Sequence, residues 1–560
     1  MPQLASNTSA CVARIINGAQ IVVPLLALLV GYHYLRHGAA SLVSQGGATL
    51  VVFALLLIGV VAGWGLRYRD LPRSFARLHW LISIAILSYL LLDPADFTVV
   101  RQENSVWAQH IAYGYWVAIG CAVLSLLRPS ALLYPAFYIS LVHASSVAIT
   151  HFDSDRLASV TLVESAQFLG LGVLFLYAIR RWGSSWIALP EGRARFNELA
   201  LGCLFIAISL HLSHYFWSGY AKLRVGEFIW SWAADNQTHN LVLSSLYRGT
   251  LPDASNPVFT QWLFDTMSAN VHVLNVVSVV VQIGAVAAVL HVLVLRALSL
   301  LYDAMHIGIF LATGLLLWPW VAINVAILYA VKGIRQRDIS WSIILCCLVT
   351  LVLGGFQHFG NASRLAWWDM RDITGSLVQI KSDDGRWQDL PLSYFNSHGR
   401  VMTLQAGQVQ LPGHYSPTGW GATRAYDTAR MQGACELPDS ERALETMAER
   451  EIREQKISAF LQAHHQKLLM REARYSTAHP YPGLRYLNSA NDMPEGLLRV
   501  ADITAYRFVM QSVCLDLDEG QLQKNVVAED SFIVDVKDGN QASTDQFTNH
   551  TLSLFHTGVR

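Results

Sequence analysis

As far as position 358, apolar residues come in blocks of about 20, the length that carries a helix across a hydrocarbon layer roughly 30 Å thick. The blocks fall near 15–35, 47–66, 78–93, 107–127, 131–150, 160–180, 199–218, 270–292, 298–318 and 339–357, the third being short and the fifth polar. After Gly360 the pattern changes to strand-length apolar runs between charges and turn residues. SLVQIKS (376–382), VMTLQAGQVQL (401–411) and SFIVDVK (531–537) alternate as strands do. A helical pattern over 440–470 interrupts them, with its charged face read as solvated. The pattern predicts a polytopic α-helical membrane protein with about 8–11 transmembrane helices. These occupy 1–358, followed by a soluble α+β domain over 359–560.

Composition agrees: of 560 residues, 53% are hydrophobic and 14% charged, outside the range of soluble chains of this size. Formal net charge is zero and there is no basic block, so no nucleic-acid partner is expected. The first apolar run lacks a small-residue cleavage site and is read as a retained helix. Basic residues near helix ends stay on the cytoplasmic side. Arg67, Arg69, Arg73 and Arg77, and then Arg180, Arg181, Arg193 and Arg195, therefore place the loops 67–77 and 181–197 inside, and Lys222 falls at the external end of its helix. Lys332, Arg335 and Arg337 return to the inside only if the chain re-enters over WPWVAINVAILYAV (318–331), with Pro319 interrupting the helix before it. The tail then lies outside a cell membrane, in a periplasmic or lumenal space. Its two cysteines, Cys435 and Cys514, are expected to pair in that oxidising compartment.

Ionisable residues within apolar runs are costly and mark function or pairing. Those here are Glu164, His211, His214, Lys222, His272, His291, Asp303 and His306. His211 and His214 share a helix face. They would join His272 or His306 around a haem or metal, or serve as polar contacts between helices. No carboxylate lies near them in sequence, so no metal is expected, and Glu164 is read as exposed at the external interface. His464 and His465 are about 100° apart on a helix, unsuited to one metal. The tail carries no GxSxG, Walker, HExxH or paired CxxC signature. Lys222 has two readings. It snorkels to the interface as an anchor, or Gly219 lets a neighbouring helix approach while Trp217, Tyr220, Trp230 and Trp232 wall the amine from water, which favours the neutral, basic form.

The run Tyr215, Phe216, Gly219, Lys222, Leu223 is similar to the segment around the proposed general-base lysine of the vitamin K-dependent gamma-glutamyl carboxylases, within the wider horizontally transferred transmembrane domain (HTTM) family. His306, followed by Trp318, Pro319 and Trp320, resembles that family's histidine-bearing helix and the kink that ends it. The resemblance covers roughly 160–330. It implies Lys222 and His306 as catalytic residues and Tyr215, Gly219, His214 and Trp217 as substrate-binding ones. It also implies a reduced, vitamin K-like quinone as cofactor, dioxygen as co-reactant, and a peptide or protein substrate met at the external face. The carboxylases carry a histidine ahead of the lysine helix, whereas 181–197 has none. The reading therefore keeps a lipid-soluble quinol and leaves glutamate carboxylation aside. The other class of function open to such a chain is a non-catalytic membrane scaffold, such as a toxin-immunity or transport component.

Overall fold

The structure is a computed structural model that describes residues 2–44, 48–92, 106–150, 160–183, 189–226, 228–354, 366, 368–382, 385–390, 447–475 and 499–536. The apolar blocks form helices α1 (Pro2–Ser44), α2 (Thr49–Ala62), α3 (Arg73–Leu92), α4 (Val106–Ser125), α5 (Leu133–Thr150) and α6 (Val160–Trp182). α7 (Pro190–Arg224) follows. Among the described residues six helices are long and apolar enough to cross a membrane: the 18–42 part of α1, α3, α6, α7, 271–290 and 292–313. The 78–93 run, read as short, belongs to a full-length helix that starts at Arg73.

α7 is the axis of the bundle, apolar around its circumference and buried along most of its length, as a helix enclosed by others must be. It begins earlier and ends later than the apolar run. Arg193 and Arg195, expected in a loop, ride on its first turns, and Lys222 lies inside its last turn rather than beyond it.

Between α7 and the next span, where no element was expected, three short helices form: α8 (Ser231–Asp235), α9 (Asn240–Tyr247) and α10 (Pro257–Ala269). The 270–292 run divides into α11 (Val271–Ile283) and α12 (Ala285–Leu290), and α13 (Val292–Thr313) starts after His291. Pro319 does not interrupt the 298–318 helix. α13 stops at Thr313 because Gly314 turns left-handed, φ 70°. A Cβ there would lie 1.6 Å from the Thr250 carbonyl oxygen, so only glycine fits. Pro319 instead occupies the first turn of α14 (Trp318–Ala330), where a missing N–H costs nothing. α15 (Trp341–Leu353) closes the helical body.

The bundle has two unlike ends. At one, Arg180 pairs with Asp70 at 2.9 Å. There too Arg77 stands over the Tyr329 ring, and Gln336 Nε2 donates to the Leu290 carbonyl. Two turns at this end share one sequence pattern, Arg67-Tyr-Arg-Asp70 and Arg335-Gln-Arg-Asp338. In each the aspartate accepts from the first arginine's N–H, at 3.0 and 2.8 Å.

At the other end, where α7 finishes, sits an antiparallel sheet ordered β2 (Trp387–Leu390), β1 (Asp372–Ser382), β3 (Ile503–Asp518), β4 (Gln521–Asp535). Period-two alternation turns Tyr506, Phe508 and Met510 toward α16 (Met447–Tyr475), which packs on that face through Ile457, Phe460, Leu461 and Leu468. The helix expected over 440–470 thus buries its apolar stripe against the sheet. Past an irregularity between Ser512 and Val513, the side chains of Val513 and Leu515 pack with Ile373 against Leu243 of α9. The run 376–382 lies in β1 and 531–535 in β4, while 401–411 lies outside the described residues. β3 was not anticipated.

Candidate functional site

On α7 the residues Tyr215, Ser218, Gly219 and Lys222 recur at helical spacing and share one face. Gly219 is there for close approach. A Cβ would come within 2.9 Å of Gln282 Cβ and 3.1 Å of Ile283 N, so α11 is drawn against α7 at this point. Contact at that distance brings Gln282 to the lysine. Lys222 Nζ donates to Gln282 Oε1 at 3.1 Å and to Ser218 Oγ at 3.3 Å, and stands 5.0 Å from the centre of the Trp232 ring. Lys222 is 8% exposed.

Its roof is completed from beyond the membrane part, by Trp368, Asp369 and Met370. Trp232 packs with Ala233, Val279, Trp368 and Met370, with Leu223 and Ile283 against them. Asp369, whose charge acts on the lysine, is fixed by Asn236, which donates to Asp369 Oδ2 and accepts from its N–H, both at 2.8 Å. The next residue, Leu223, lines an apolar cleft of 430 Å³ together with Trp230, Val279, Ile283, Val286 and Leu290, among others, and Lys222 is not part of its lining. Of the aromatic wall expected around the amine, Trp232 is in place. Trp217 turns away and donates to the Leu351 carbonyl at 2.9 Å, and Trp230 lines the cleft.

Two turns below, about 10 Å along the helix axis, Tyr215 OH and His306 Nε2 are 2.8 Å apart. Asn324 of α14 organises this pair. Its Nδ2 donates to Tyr215 OH at 3.1 Å and to Asp303 Oδ1 at 2.9 Å, while its Oδ1 lies 3.0 Å from His211 Nε2. The amide oxygen accepts only, so the His211 proton sits on Nε2. Between Tyr215 OH and His306 Nε2 one group donates and the other accepts, as the imidazole tautomer decides. Tyr302 stacks on Tyr215 at 3.7 Å, and Trp320 meets the Tyr215 ring edge-on at 5.2 Å. Tyr215, Tyr302, His306, Trp320 and Asn324 are all buried in this cluster.

His214 leads elsewhere. Its Nε2 donates to Glu164 Oε2 at 2.8 Å, and Arg36 of α1 holds Glu164 Oε1. Glu164 has no exposed surface, which corrects the expectation of an interfacial carboxylate. It also supplies His214 with the carboxylate partner that no nearby position offered. A buried charge persists only when paired in this way.

His211, His214 and His306 do gather around Trp320, but each is committed to a protein partner, whereas His272 is exposed on α11. Among the described residues no group of three or more His, Cys, Asp or Glu is disposed to hold a metal. In the tail, burial pushes His465 down to about 4 against the charge of Glu472, and its Nδ1 meets Tyr506 OH at 3.0 Å. Cys514 is disulfide-bonded, and Cys435, its expected partner, lies outside the described residues.

The residues that sequence reasoning missed are Arg36, Gln282, Tyr302, Asn324 and Asp369. Asn324 and Gln282 carried a signal, being lone amides inside apolar runs. No family model matches the chain, and neither a curated protein nor a solved structure matches it.

Proposed function

We propose that the chain is a membrane enzyme resembling the vitamin K-dependent carboxylases, in which the Lys222 amine is the general base toward the hydroxyl of a reduced quinone or similar lipid-soluble substrate. One observation carries this reading. A buried amine is held by two neutral oxygens and an indole face, and the residue after it, Leu223, lines an apolar cleft suited to a lipid tail. The quinol would supply reducing equivalents to dioxygen. The chain's own part is to seat the ring beside Leu223 and Ile283, to take the hydroxyl proton on Nζ, and to keep water out with Trp232 and Trp368. Tyr215, on the Lys222 face of α7, and His306, on α13, hold one another in register and would border the ring's inner side.

Mass spectrometry of lipids retained by the purified protein is expected to find a quinone-type molecule in near-equal amount to the chain. Bulk phospholipid alone would favour the scaffold reading. The packing of Tyr215 and His306 against each other is the feature that favours that alternative.

The same reading places the sheet on the external side of a cell membrane. The arginine-bearing end and the sheet end are opposite ends of α7, and basic residues are retained inside. The disulfide at Cys514 supports an oxidising compartment. A reporter that works only in the cytoplasm, fused after Arg560, is expected to stay silent. A signal equal to that of a cytoplasmic control would overturn the placement.

A further inference from the structure

Asp303 is the charged candidate that neither the lysine site nor the Arg36–Glu164–His214 group uses, and its position is unusual. It lies on α13 eleven residues from Val292 and ten from Thr313 (303 − 292 and 313 − 303), so about 15 Å from either end of the helix. The residues one turn before and after it on the same face, Leu300 and Ile307, are 60% and 55% exposed and belong to the lipid-facing surface. Tyr302 and His306, on the adjoining face, are buried. Asp303 is itself partly exposed, standing on the boundary between bilayer and polar core.

No cation pairs with it among the described residues, and its recorded hydrogen bond is the one accepted from Asn324 Nδ2. The titratable groups on its inner side are Tyr215, Tyr302, His306 and His211. Two of these have a buried ring nitrogen with no partner, His211 Nδ1 and His306 Nδ1. With its proton on Nε2, His211 offers Nδ1 as a bare acceptor. An unpaired carboxyl at such depth is costly when charged and marks proton traffic.

We propose that Asp303 is a proton-exchange site facing the bilayer. Its carboxylate takes a proton from a phenolic or enolic hydroxyl of an amphiphile lying against Leu300 and Ile307, becoming a neutral carboxyl, and returns it in the reverse step. Asn324 holds the carboxyl beside Tyr215 in both forms. The site does not depend on Lys222 acting as a base, because its test reads the carboxyl and not turnover.

The test is carbodiimide labelling of the full chain in lipid vesicles, with adducts assigned by peptide mass spectrometry. Dicyclohexylcarbodiimide, which partitions into the bilayer and attacks protonated carboxyls, is expected to modify Asp303 and to spare the ion-paired Glu164. Labelling should fall about tenfold for each pH unit above the ionisation point. A water-soluble carbodiimide should leave Asp303 unmodified, and a lipid-soluble hydroquinone should slow the labelling several-fold. Absence of the Asp303 adduct, labelling by the water-soluble reagent, or indifference to the hydroquinone would each overturn the proposal. Peptide assignment identifies the site without relying on an Asp303→Asn variant that fails to fold; where that variant elutes like the parent, its adduct should vanish.

Discussion

Truncating Glu164 to alanine is expected to cost about 3–5 kcal/mol of stability, because it strands the buried His214 and the half-buried Arg36 at once. Arg36 loses its carboxylate, and His214 loses the acceptor that orients its ring against Trp320. Glu164 ties α6 to α1 and α7, and Arg36 also reaches Tyr32 OH, so the loss is shared across three helices. Thermal melting of the detergent-solubilised protein should shift down strongly for Glu164→Ala. Glu164→Gln should shift less, since the amide oxygen still accepts from one neighbour. Combining Glu164→Ala with Arg36→Met should restore part of the loss by removing the unpaired cation. A melt of Glu164→Ala indistinguishable from the parent would mean that the triad is not buried in the folded protein.

Lys222→Ala is expected to abolish quinol- and dioxygen-dependent turnover while the protein still elutes as a folded species. The side chain is held by Ser218 and Gln282 but belongs to no buried ion pair of the Glu164 kind. Lys222→Arg separates the two readings of this residue. A guanidinium stays protonated at any accessible pH and cannot accept the substrate proton, so turnover should fall as far as with alanine. An anchoring lysine predicts the reverse, since arginine snorkels equally well. Parent-like turnover in Lys222→Arg would leave Lys222 a structural cation and remove the basis of the proposed chemistry.

Helical periodicity and run length carried most of the membrane part, because the bilayer imposes one length on every crossing. What they misplaced follows from local chemistry. Gly314 reads as an ordinary residue of an apolar run, yet its left-handed φ and the Thr250 carbonyl against it decide where α13 stops. Pro319 drew attention as a breaker when its place is a helix start. The face shared by Tyr215, Gly219 and Lys222 was legible, since spacing along one helix is a property of the sequence. The partners of that face were not. Gln282, Asn324 and Asp369 reach it from elements 60 to 147 positions away (282 − 222, 324 − 215, 369 − 222), and nothing in their local sequence says where they point. Glu164 was misread for the same reason: His214 is 50 positions distant, and Arg36 128 in the other direction.

The roof over Lys222 also sets the order in which the molecule can be completed. Trp368 and Asp369 leave the ribosome 147 residues after the lysine (369 − 222), roughly 7–30 s later at ordinary rates of synthesis. Within that interval α7 is made first, then Trp232 and Val279, and they and the amine face water or lipid without the cover of Trp368. A nascent chain halted before Trp368 is therefore expected to keep its helices and leave this lysine open to reagents that the finished protein excludes. Closure of the site would then report that synthesis has passed the membrane part and entered the sheet.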